Sequence, residues 1–131
     1  MAILANKAPI AREILARIVA AYETIPFFLQ PGAKVLNKGS IELGNNSRII
    51  ASATSSTAIR GFSVNFLYLD EFSFVENAEE FFKSTFPTIS SGKETKIVIS
   101  STPNGLNLFY KLFTDAQNKK NEFYPFQIEW H

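Results

Sequence analysis

The 131-residue sequence has no cysteine. That excludes a disulfide framework, a zinc–thiolate site and a thiol nucleophile. Histidine occurs once, as His131, so a Ser–His triad or a His-rich metal centre lacks its residues. An excess of one charge is missing too. Thirteen Lys+Arg against twelve Asp+Glu leave a net charge of +1, so bulk positive charge does not grip nucleic acid. No apolar run approaches the ~18 residues of a membrane span. Pro9, Arg12 and Glu13 interrupt any signal-peptide pattern at the start. These absences lead us to expect a soluble intracellular protein.

Phenylalanine is abundant. Thirteen Phe and a hydrophobic share of 46% demand a packed core and exclude a disordered tail. The length suits one domain. Charge is unevenly spread: residues 1–65 carry seven bases and three acids, residues 66–131 six bases and nine acids. That division carries no assignment by itself.

Residues 2–5 form a short apolar run that reads as a buried strand. Pro9 suits a first helical turn. Ile10, Ile14, Leu15, Ile18, Val19 and Tyr22 recur at helical spacing, so residues 8–22 are expected to form an amphipathic helix, with Glu13 and Arg17 paired on its polar face. Residues 35–36, 40–43 and 48–53 are β-type runs. Asn37-Lys38-Gly39 and Gly44-Asn45-Asn46-Ser47 separate them, the pattern of antiparallel hairpins. Residues 52–59 read as loop or short helix. Residues 66–69 read as a strand covered on both faces and 78–85 as helix. Residues 96–100 read as a second buried strand, 106–116 as helix and 126–130 as a last strand. Strands alternating with helices predict an α/β fold with a mainly parallel sheet and an added antiparallel hairpin region. Its chemistry should lie beyond the carboxyl ends of the strands.

Three features carry that chemistry. Phe66-Leu67-Tyr68-Leu69-Asp70-Glu71 delivers two carboxylates to the rim of the sheet. In a nucleotide hydrolase the first acid holds Mg²⁺ and the second orients and deprotonates the attacking water. A strand ending in a solvated acidic turn is the alternative. Ile97-Val98-Ile99-Ser100-Ser101-Thr102-Pro103-Asn104-Gly105 ends a strand in hydroxyls that can bond a phosphate, a water or the neighbouring carboxylates. A simple Pro-Asn-Gly turn accounts for the Asn and Gly but not for three successive hydroxyls. Arg60-Gly61 precedes the acidic strand, where an arginine can stabilise a transferring phosphate, or be a solvated surface residue.

These features combine with their flanking words: Ala5-Asn6-Lys7, Phe28-Leu29-Gln30-Pro31-Gly32, Asn37-Lys38-Gly39-Ser40-Ile41-Glu42-Leu43 and Leu106-Asn107-Leu108-Phe109-Tyr110. The series resembles the ATPase domain of the large terminase subunit of tailed bacteriophages, from about residue 3 to 130. The resemblance implies a P-loop ATPase-type three-layer sandwich and a motor that packages double-stranded DNA. It implies that Asp70 is the Walker B acid on Mg²⁺ and Glu71 the catalytic carboxylate. Ser100, Ser101 and Thr102 match the coupling motif, and Arg60 falls where some members place an arginine reaching a neighbouring subunit's nucleotide. ATP and Mg²⁺ are the implied cofactors. Portal protein, small terminase subunit and further large-terminase copies are the implied partners, in the host cytoplasm during virion assembly.

One departure stands beside the match. A P-loop ends in Gly-Lys-Ser/Thr, and Pro31-Gly32-Ala33-Lys34 lacks the first Gly and the hydroxyl. The expectation is therefore an incomplete ATPase domain, residues 1–131 forming a single partial unit without the P-loop and nuclease segments. Another helicase-like P-loop ATPase and a stand-alone, non-catalytic partner-binding domain are the alternatives. By the same resemblance, residues 2–5, 66–69 and 96–100 should be adjacent and parallel, with the Asp-Glu strand in the middle. The outer edge of residues 96–100 would then be bare. Three outcomes would relieve it: residues 126–130 cover it directly, a second copy pairs across it as a homodimer, or the region is disordered. The first two are favoured, because Phe123, Tyr124, Phe126, Ile128 and Trp130 need burial.

Overall fold

The computed structural model describes residues 1–55, 57–59, 61–90 and 94–129. The first strand, β1 (Ala2–Ala5), is fully buried at all four positions. Alternation sends Ala2 and Leu4 into one core cluster and Ile3 and Ala5 into another. A strand covered on both faces needs an apolar side chain at every position, and Ala-Ile-Leu-Ala supplies one.

Helix α1 (Ala8–Glu23) opens with proline in its first turn, where the missing N–H leaves no intrahelical bond unmade. It buries Ala11 and Leu15 and packs Ile10, Ile14, Ile18 and Val19 around Ile3 and Ala5. Glu13 and Arg17 pair at 3.5 Å on its exposed side. Strands β2 (Ala33–Leu36), β3 (Ser40–Leu43) and β4 (Arg48–Ala53) follow as hairpins. The Asn37 side-chain oxygen accepts the Gly39 and Ser40 N–H groups at 2.9 and 2.7 Å. Asn45 accepts that of Ser47 at 3.0 Å. These Asx turns fix the two reversals. Then come β5 (Phe66–Asp70), α2 (Ala78–Ser90), β6 (Lys96–Ile99) and α3 (Leu108–Gln117).

The described strands form one six-stranded sheet in the order β2-β3-β4-β1-β5-β6. Strands β4, β1, β5 and β6 run parallel, and the hairpin pairs β2–β3 and β3–β4 are antiparallel. Helix α1 covers one face; α2 and α3 cover the other, over Leu67, Leu69, Ile97 and Ile99. The expected adjacency of residues 2–5, 66–69 and 96–100, with the acidic strand between the other two, holds.

Four expectations fail, each for a physical reason. Residues 96–99 form a strand, but not a buried one: Val98 is 43% exposed. Strand β6 pairs only with β5 among the described strands, and α1 lies over β1 and β4. For the same reason β5 is buried on one face alone, with Phe66 and Tyr68 half-buried. Residues 126–129 form no strand; Tyr124, Phe126 and Ile128 stay largely exposed, because no described strand pairs with this segment. Helix α2 continues through Pro87 to Ser90, since Phe81, Phe82 and Ile89 all reach the same core and packing outweighs the helix-breaking tendency of proline.

Leu4→Ala should cost about 2–5 kcal/mol, read from the shift in urea unfolding free energy. Val98→Thr, on the open half of β6, should change stability by no more than about 0.5 kcal/mol. A large cost at Val98 would mean that this face is covered in solution.

Candidate active site

The β5–β6 register brings the chemistry together. Leu69 stands opposite Ile99, and the Ser100 N–H donates to the Leu69 carbonyl at 2.9 Å. Asp70 and Ser100 therefore leave the sheet side by side. The Ser100 hydroxyl donates to Asp70 Oδ1 at 2.7 Å. Tyr68, two residues before Asp70 and on the same face, donates to the same oxygen at 3.2 Å, and its oxygen lies 2.9 Å from Ser100 Oγ. The carboxylate is thus held by two hydroxyls on one oxygen. Burial pushes the Tyr68 phenol above its ordinary value of 10.0, with the charge of Asp70 adding to the push and the Ser100 hydrogen bond opposing it.

Glu71 is positioned differently. Its backbone sits in the left-handed region at φ 50°, ψ 40°, which costs a residue bearing a Cβ about 1–2 kcal/mol. Its half-buried carboxylate has no hydrogen-bond or ion-pair partner among the described residues. The turn is held from below by a 3-10 segment, Phe72–Phe74. Phe72 is 1% exposed there and meets Phe81 and Phe82 at ring-centroid distances of 6.4 Å each. Strained backbone at a non-glycine residue concentrates at functional sites.

The three hydroxyls after β6 divide their tasks. Ser100 meets Asp70. Ser101 meets Ser73: the Ser73 N–H donates to Ser101 Oγ at 3.0 Å, and the two hydroxyls are 2.6 Å apart. Thr102 contributes its backbone carbonyl, which accepts from Ser73 Oγ at 2.6 Å. Arg60, the fourth kind of candidate, lies outside the described residues. Tyr68 and Ser73 were not singled out by sequence. Tyr68 carried a signal, its two-residue spacing from Asp70 on a strand; Ser73, a lone serine between two phenylalanines, carried none.

Hard oxygen donors, a carboxylate with hydroxyls beside it, fit Mg²⁺. Among the described residues no group of three or more His, Cys, Asp or Glu side chains converges. An ion on Asp70 would thus complete its shell with waters and phosphate oxygens. An open groove lined by Asn65, Phe66, Glu94, Thr95 and Lys96 lies at the opposite, amino ends of β5 and β6, away from both carboxylates.

Two measurements check this geometry. Glu71→Gly removes the left-handed strain but adds unfolded-chain entropy, so stability should be unchanged or raised by up to about 1 kcal/mol. A loss larger than that would place Glu71 in a different conformation. Tyr68 has a raised folded pKa, so its contribution to stability is complete below pH 10.0 and is lost as pH rises through the raised value. Tyr68→Phe should therefore flatten the alkaline decline in unfolding free energy, relative to the unsubstituted protein.

Comparison with known proteins agrees with this architecture. The chain resembles the solved ATPase domain of the large terminase of Thermus phage P74-26, with a TM-score of 0.63 and 22% sequence identity over 86% of this chain. It spans 51% of that structure, about half its length, and at this identity the likeness concerns the fold. A family model described as terminase large subunit, T4likevirus-type, N-terminal, matches residues 2–130. With the match running over nearly every residue, including the acidic strand end and the hydroxyl-bearing loop beside it, this chain belongs to the family of T4likevirus-type large terminase subunits, within its N-terminal part.

Proposed function

We propose that this chain supplies the metal-holding and water-activating side of an ATP-hydrolysing site in a phage motor that packages double-stranded DNA. The observation carrying the proposal is the juxtaposition of Asp70, Glu71 and Ser100 at the carboxyl ends of two adjacent parallel strands in a chain of the large-terminase family. Asp70 is the Walker B acid. Its oxygen is oriented by Ser100 and Tyr68, as metal-binding carboxylates are oriented by outer hydrogen bonds. Mg²⁺, when bound, neutralises charge developing on the phosphates. Glu71, which has no partner among the described residues, accepts the proton of the attacking water. Ser100, Ser101 and Thr102 form the coupling motif, and Arg60 acts on the nucleotide of a neighbouring copy.

The sequence carries no Gly-Lys-Ser/Thr turn, so the phosphate-cradling half of the site comes from outside these residues, which act as a partial ATPase domain. The outer edge of β6, unpaired among the described residues, offers a place for a further strand of that half. Portal protein, small terminase subunit and further large-subunit copies are the proposed partners, in the host cytoplasm during virion assembly. No helix among the described residues is long and apolar enough to cross a membrane.

The chain alone should hydrolyse ATP no faster than its Glu71→Ala variant, because metal and water cannot act on phosphates that nothing holds. With a phosphate-binding segment restored ahead of residue 1, Glu71→Gln should lower hydrolysis by ~10²–10⁴-fold while ATP binding persists. Asp70→Asn should instead weaken Mg²⁺-dependent binding. Hydrolysis by the restored protein that tolerates Glu71→Gln overturns the assignment.

A further inference from the structure

Ser73 spends every polar group it has on one loop. Its N–H donates to Ser101 Oγ at 3.0 Å, and its hydroxyl donates to the Thr102 carbonyl at 2.6 Å. Its carbonyl accepts from Asn107 Nδ2 at 2.8 Å and, more weakly, from Asn104 Nδ2 at 3.4 Å. Ser101 Oγ accepts from the Ser73 N–H and lies 2.6 Å from Ser73 Oγ, where either hydroxyl can donate. Both hydroxyls also reach the Thr102 carbonyl, at 2.6 Å from Ser73 and 3.0 Å from Ser101. The residue is 7% exposed, and its bonds are part-buried.

Asn107 is equally committed. One amide proton goes to Ser73, the other to the Asn104 carbonyl at 3.0 Å. Its side-chain oxygen caps α3 by accepting the Tyr110 N–H at 3.2 Å. A continuous hydrogen-bonded path thus runs from the strained backbone at Glu71, through Ser73 two residues on, into the hydroxyl loop and the first turn of α3. The 3-10 segment and α3 are also in direct contact.

We infer that Ser73 is a positioning residue that locks the Glu71 turn to the hydroxyl loop and to the start of α3, so that a change at Glu71 displaces α3. Its use in transmitting hydrolysis rests on the function proposed above; the mechanical link itself does not. The hydroxyl at position 73 ties the turn to the loop at Ser101 and Thr102, and the side-chain amide at position 107 ties it to α3. Alanine at 73 keeps only the backbone donor and acceptor. Aspartate at 107 keeps the cap acceptor but loses the donor to Ser73.

Amide hydrogen exchange of the nucleotide-free chain tests the link through a double-mutant cycle. Glu71→Gly should change the exchange rate of the Tyr110 and Lys111 amides by about twofold or more, the low end for residues in one hydrogen-bonded network. In the Asn107→Asp background that response should vanish while α3 stays helical by NMR shifts, and in the Ser73→Ala background, which keeps the carbonyl that meets Asn107, it should shrink. Ser73→Thr, which keeps the hydroxyl, should restore it. A Glu71→Gly response that survives unchanged in both backgrounds, or is absent from the unsubstituted chain, overturns the inference. Should Ser73→Ala fail to fold, the Asn107→Asp comparison decides alone. Because no nucleotide is present, a positive cycle with a hydrolysis-tolerant Glu71→Gln would retire the ATPase proposal and leave the link standing. The converse pair of results would do the opposite.

Discussion

The parallel register between β5 and β6 is the constraint on which the site depends. Leu69 faces Ile99, and the ladder continues past the strand ends as the Phe72 N–H donates to the Ser100 carbonyl at 3.2 Å. A slip of one residue would send Asp70 and Ser100 to opposite faces. It would also expose Leu67 and Leu69, which are 2% and 1% exposed. Burying each such side chain contributes about 1.5–3 kcal/mol. The same apolar residues that fill the core therefore fix, at no separate cost, where a carboxylate meets a hydroxyl.

Coverage of the sheet follows from how few helices the chain has. Helix α1 lies over β1 and β4, and α2 and α3 lie on the opposite face. The α1 side of β5 and β6 is left half-open, with Tyr68, Val98, Asp70 and Ser100 along it. That open side is where the carboxylate stands. The Asp70 side of β5 is not roofed by α1, which stops one strand short.

Sequence made the parallel core legible because β1, β5 and β6 are short apolar runs bounded by turn signals. The placement of Asp70 and Glu71 at a strand end followed directly. Exposure was not legible. An Ile-Val-Ile run reads as buried on both faces, and periodicity cannot say that β6 lies on an edge. Residues 126–130 read as a last strand, yet a run of large side chains states only what a strand would bury, not that a partner strand is at hand. Ser73 was invisible for a related reason: its bonds are to residues 28 to 34 positions away, and no local pattern encodes them. Ser100 was legible as a hydroxyl at the rim, while its choice of Asp70 Oδ1 was fixed only by the register.

Two adjacent acids have opposite fates for one backbone reason. In a continuing strand Asp70 and Glu71 would point to opposite faces. The left-handed step at Glu71 instead ends the strand and begins the 3-10 turn. Its cost, about 1–2 kcal/mol, is met by what the turn places in the core. Burial of Phe72 contributes about 1.5–3 kcal/mol, and each Ser73 hydrogen bond about 0.5–1.5 kcal/mol. The turn is thus held by contacts within the protein. Asp70 stays on the strand, where two hydroxyls fix one of its oxygens. Glu71 is carried past the strand end, with no partner for its carboxylate among the described residues.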